Sequence, residues 1–226
     1  PPNRMNNLTY KEWMKFQKSF FEFTTVDDLI NHCITFFTKN KWEDNKPSKI
    51  LLLLNKENSI HYKNNFPERI IKHKYISTNY NQIMDSIDEE EGKYDYIFID
   101  IRDIFHNLFE INEFIKHIYT LSAEIRNHLY NDRYCSILLS AIEGYKNYPF
   151  PWIIALGLRK ELRLKDEKVG IIIPTKNELK KPKIKRYNMI DNLKYLLTFQ
   201  AKHELRPPKK IISQDIQIAD SKVQFP

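Results

Sequence analysis

Four residues have the type and spacing to do chemistry: Asn55, Glu57, Asp100 and Asp103. Asp100 closes the run Tyr-Asp-Tyr-Ile-Phe-Ile-Asp at 94–100, and Asp103 follows three residues later. Asn55 and Glu57 come just after a second apolar run, Lys-Ile-Leu-Leu-Leu-Leu at 49–54. Short, β-branched or aromatic runs of this kind read as strands buried on both faces. Open α/β sheets take their ligands outside the carboxyl ends of such strands. Carboxylates placed there offer hard oxygen ligands for a cation such as Mg²⁺. Glu57, Asp100 and Asp103 would then serve a metal-dependent nuclease or a phosphoryl-transfer domain. The competing reading is that Asp100 caps the next helix and pairs with Arg102. The seven histidines are scattered and form no ligand pair. There is no Gly-x-Ser-x-Gly elbow, no Gly-rich phosphate loop with its lysine and no Cys/His spacing for zinc.

The elements that would position these residues alternate. Strands are expected at 49–54, 75–77, 94–100, 135–141 and 168–173, with a weaker one at 193–199. Thr9 and Glu12 have capping-box spacing, and Trp13, Phe16, Phe20 and Phe23 follow at helical intervals. Further helices are expected over 27–38, 67–73, 81–87, 104–130 and 151–164. Alternating strands and helices predict an α/β fold with a mostly parallel sheet and helices on both faces. The expected organisation is a helical N-terminal segment at 1–45, a Rossmann-like domain at 46–202 and an extended tail at 203–226.

Tyr-Asp-Tyr-Ile-Phe-Ile-Asp at 94–100, preceded by a short strand and helix from Ile76, resembles the fourth strand of S-adenosylmethionine-dependent methyltransferases. Trp152 to Leu162, followed by Lys168-Val-Gly-Ile-Ile-Ile, is similar to their late helix and sixth strand. Pro1-Pro2-Asn3-Arg4 and Leu8-Thr9-Tyr10-Lys11-Glu12-Trp13 resemble stretches of DNA amino-methyltransferases of the N6-adenine/N4-cytosine type. The resemblance implies a Rossmann-like sheet of methyltransferase type. It places Asn55 and Glu57 at the cofactor turn, and Asp100 and Asp103 where the target amine is received and an aromatic ring stacks on a flipped base. Two departures matter. The cofactor turn of that family is Gly-rich, because backbone approaches the methionine and ribose closely, whereas the turn here is Asn55-Lys56-Glu57-Asn58. The catalytic turn carries Pro-Pro-aromatic, whereas Ile101-Arg102-Asp103 follows Asp100 here.

The strongest surface signal is basic. Lys176, Lys180, Lys181, Lys183, Lys185 and Arg186 crowd one Pro-containing loop, and Lys209-Lys210 follow in the tail. These predict a phosphate-binding rim for DNA or RNA, extended by Arg159, Lys160 and Arg163, with Tyr145, Tyr148 and Tyr187 to stack on unpaired bases. The chain's 36 Lys+Arg against 29 Asp+Glu give it a net charge of +7, which suits a polyanionic partner. Its two cysteines, Cys33 and Cys135, lie in apolar surroundings and read as buried free thiols. That suggests a reducing, intracellular compartment, cytoplasm or nucleus. No apolar run reaches membrane-span length. The chain does not start with Met and reads as a fragment or a processed form.

Three functions fit. The first is a catalytically degenerate methyltransferase-like subunit that supports an active nucleic-acid methyltransferase, binding that partner and nucleic acid but no cofactor. The second is an active nucleic-acid methyltransferase using S-adenosylmethionine through an atypical loop. The third is the metal-dependent domain described above.

Overall fold

β2 (Lys49–Leu54) shows why the chain folds as it does. Every residue from Ile50 to Leu54 is buried, so this strand needs cover on both faces. In the computed structural model, which describes residues 5–42, 44–55, 59–76, 81–102, 104–105, 107–140, 149–172 and 193–201, β2 receives it. The described strands form one seven-stranded sheet in the order β1-β6-β7-β5-β4-β2-β3. The others are β1 (Phe20–Phe23), β3 (Ile70–Tyr75), β4 (Tyr94–Asp100), β5 (Leu129–Ser140), β6 (Leu162–Ile172) and β7 (Leu193–Ala201). β2 pairs in parallel with β3 and β4, β4 with β5, and β1 with β6. β7 alone runs antiparallel, between β5 and β6.

The pleat sorts the central side chains into two cores. Leu51, Leu53, Ile97, Ile99, Ile137 and Leu139 face α4 (Asn81–Asp88), α5 (Leu108–Asn127) and α6 (Phe150–Leu158). Ile50, Leu52, Leu54, Tyr96, Phe98 and Leu138 face α2 (Val26–Phe37) and α3 (Ser59–Asn65). The expected class therefore holds: α/β, Rossmann-like, mostly parallel, with helices on both faces. Both cysteines are free and buried. Among the described residues no helix is long and apolar enough to cross a membrane.

Several expected boundaries move. The aromatic series Trp13, Phe16, Phe20 and Phe23 is not one helix. α1 (Tyr10–Phe16) has the Thr9–Glu12 capping box, but it buries no residue and stops at Gln17. Phe20–Phe23 then becomes an edge strand, led in by Val169 N–H donating to Ser19 O at 2.9 Å. The buried Lys168 ammonium fixes this turn by donating to Phe16 O and Lys18 O, each at 3.0 Å. Residues 67–73 are not helical. Pro67 opens a turn, and Ile70–Tyr75 pairs with the whole of β2. α6 ends at Leu158 rather than 164, and β6 begins at Leu162. The residues expected to form the 175–186 loop and the tail from 203 lie outside the described set.

Candidate functional site at the carboxyl edge of the sheet

From β2 the chain crosses to β3 on one side of the sheet and then returns to β4 on the other. The order reverses between β2 and β4, and this is where open α/β sheets bind ligands. Leu53 pairs with Ile99, so Asn55 and Asp100 lie at adjacent strand ends. The sequence pointed to both residues, and the fold brings them to the switch point. Glu57, Asp103, the lysines and arginine at 176–186 and Lys209-Lys210 lie outside the described residues.

Asp100 is 2% exposed, and its carboxylate is engaged by its own chain. Arg102 Nε donates to Oδ1 at 2.8 Å, Arg102 Nη2 donates to Oδ2 at 2.6 Å, and the Arg102 backbone N–H reaches Oδ1 at 3.2 Å. Such a fork spends both oxygens on one guanidinium. The expected pairing with Arg102 is present. The expected helix cap is not, because Asn107 caps α5 by accepting from Glu110 N–H.

Two residues that the sequence does not single out form a buried pair between α3 and α2. Tyr62 on α3 is 1% exposed, and its hydroxyl donates to Oδ1 of Asp27, in the first turn of α2, at 2.5 Å. Burial pushes the Tyr62 phenol far above its ordinary value, helped by the hydrogen bond to Asp27 and by the charges of Asp27 and Asp100, with Arg102 opposing. Tyr62 sits in the polar stretch 59–66, which carries no apolar period to mark it. Asp27 looked like an ordinary first-turn acid.

Asn55 carries a side chain at the turn where close backbone approach calls for glycine. Asp100 is paired with Arg102, and Tyr62 with Asp27. Of the three residues of the metal reading, only Asp100 is among the described residues. Among the described residues no group of three or more His, Cys, Asp or Glu side chains is placed to hold an ion.

No protein-family model matches the chain, and no curated protein matches it. Solved structures give distant likenesses. The N-methyltransferase NodS from Bradyrhizobium japonicum, in complex with S-adenosyl-L-homocysteine, is 8% identical, with a TM-score of 0.44 over 79% of this chain and 88% of that one. TrmN from Thermus thermophilus is 7% identical, with a TM-score of 0.39 over 68% of this chain and 44% of that one. A fibrillarin/Nop5p complex gives 13% identity and a TM-score of 0.38 over 68% of this chain and 72% of that one. None of these likenesses bears on the chemistry, and the fold class rests on the strand order itself.

Proposed function

We propose that the chain is a methyltransferase-like subunit that does not itself transfer methyl groups. It supports a nucleic-acid methyltransferase inside the cell by binding that enzyme and DNA or RNA. One observation carries the reading. The acid at the end of β4, where the methyltransferase resemblance puts the group that receives the target amine, is buried and held by both oxygens on Arg102. An acid so paired is buried and charge-compensated by its own chain, so a substrate amine would have to compete with the guanidinium for it. Asn55 at the turn after β2, where the resemblance calls for glycine, supports the same reading on the cofactor side.

Thermal melting tests it. A ligand at 100 times its Kd stabilises a protein by about 2.7 kcal/mol, which moves the Tm of a domain of this size by several degrees. S-Adenosylmethionine at millimolar concentration is expected to leave the Tm unchanged. A shift of several degrees would replace this reading with that of an active methyltransferase.

A further inference from the structure

At the opposite, amino-terminal edge of the sheet, two irregular segments enclose a hollow of about 580 Å³. One wall is the loop after α2, closed by the Lys41–Pro47 bridge and turned by Asn45 at φ 59°. The other is the bulge that opens β5. Tyr94 pairs with Leu129 but Tyr96 pairs with Tyr134, so residues 130–133 stand out from the ladder, with Asp132 at φ 60°. Bulges of this kind re-aim side chains. Here the bulge presents Tyr130, Asn131 and Arg133 to the hollow.

The groups inside are organised. The Arg133 guanidinium lies 3.4 Å from the centre of the Trp42 ring, and its Nε donates to Oδ1 of the buried Asp95 at 3.0 Å. The other Asp95 oxygen accepts from the Lys49 backbone N–H at 2.9 Å. Arg133 is thus fixed on two sides. Lys39 approaches the same indole, with its Nζ 5.4 Å from the ring centre. Lys49 lines the hollow as an exposed cation, Lys46 lines it as an exposed cation paired with Asp44 at 2.9 Å on the same loop, and Tyr130 is 42% exposed beside them. An oriented guanidinium, flanking ammonium groups and an exposed aromatic ring match the two demands of unpaired nucleic acid, which are charge along the backbone and a platform for bases.

We infer that this edge is a binding surface for single-stranded nucleic acid. Lys46, Lys49 and Arg133 meet phosphates, and a base stacks on Tyr130. The inference rests on the nucleic-acid-binding part of the reading above and adds a location to it. Asp95 and Asp100 are five residues apart on one strand, so this surface lies roughly 17 Å from the switch-point crevice. A strand held here is presented to a partner rather than to this chain's own crevice.

The test is fluorescence anisotropy of labelled 15-nucleotide oligo(dT) and oligo(U) with the full chain. Three neutralised phosphates give a salt slope of about −2, so affinity should fall about 20-fold between 50 and 200 mM salt. Lys46→Glu with Lys49→Glu should flatten that slope to about −0.7. Tyr130→Ala should weaken binding about tenfold while leaving the slope unchanged. All three positions are exposed, and unchanged melting curves will show that the variants fold. Binding of both variants at the unmodified affinity and slope would overturn the surface but leave nucleic-acid binding intact, directing attention to the loop at 176–186. Absence of oligonucleotide binding by the unmodified chain at 50 mM salt would overturn both the surface and the nucleic-acid part of the proposed function.

Discussion

Arg102 holds both carboxylate oxygens of Asp100, at 2.8 and 2.6 Å, two residues beyond the strand end where a Rossmann-like sheet usually meets its ligand. The pair is buried on both sides, with side-chain exposures of 9% and 2%. A buried ion pair is not in itself a strong source of stability. What it does is occupy. The carboxylate that the fold places at the switch point is committed to the chain's own guanidinium.

Removing one partner exposes the cost of this arrangement. Arg102→Ala leaves Asp100 buried and uncompensated, and it should lose about 3–5 kcal/mol in urea unfolding. Asp100→Leu combined with Arg102→Met removes both charges and should recover most of that loss. A single variant as stable as the unmodified chain would mean that the pair opens in solution.

A second buried acid controls the acid limb of stability. Glu90 has a fully buried side chain, with Lys72 Nζ at 2.8 Å, Lys74 Nζ at 2.8 Å and the Tyr94 hydroxyl donating to it. Burial alone would raise its pKa, but the bonds from Lys72, Lys74 and Tyr94 outweigh burial and hold it below the usual 4.5. A depressed carboxylate pKa stabilises the fold above the unfolded value, and that stability is lost as pH falls through the folded value. Glu90 should therefore add up to about 1.4 kcal/mol per pH unit to the fall of stability below pH 4.5. Glu90→Gln should give a shallower acid limb in pH-dependent denaturation, and an unchanged limb would refute the assignment.

The contact between α5 and α6 depends on Gly157. A Cβ there would come within 2.6 Å of two Ile118 side-chain carbons. Gly157→Ala should destabilise the chain by about 1–3 kcal/mol. Ile118→Ala, which removes both carbons, should cost less in the Gly157→Ala chain than in the unmodified one in chemical denaturation. A neutral Gly157→Ala would show that the helices can separate at no cost.

How much of this could be read from sequence depends on the signal each element carries. β2 and β4 announce themselves because strands buried on both faces are apolar throughout. α2 and α5 keep a clear helical period over 12 and 20 residues. β1 and β3 are edge strands, exposed in part, and their composition is too mixed to separate them from helix. Phe20 and Phe23 fell into step with Trp13 and Phe16 by accident of spacing. At the site, Asp100 and Asn55 were legible as strand-end residues. The Tyr62–Asp27 bond spans 35 positions and the Arg133–Asp95 pair 38, and no local pattern encodes such meetings.

The thiols give an independent check on packing. Burial pushes Cys33 up to about 12 and raises Cys135 as well. Since the thiolate is the reactive form, neither should react with a disulfide reagent at pH 8 until the chain unfolds, and both should react promptly in denaturant. Fast reaction in the native state would contradict the placement of α2 and β5.

The most direct test is calorimetric titration of S-adenosylmethionine into the purified, folded chain. With Asp100 held by Arg102, Tyr62 held by Asp27 and Asn55 in the turn after β2, no binding heat is predicted. Saturable binding with a micromolar Kd would contradict the account and establish that the crevice opens to take the cofactor.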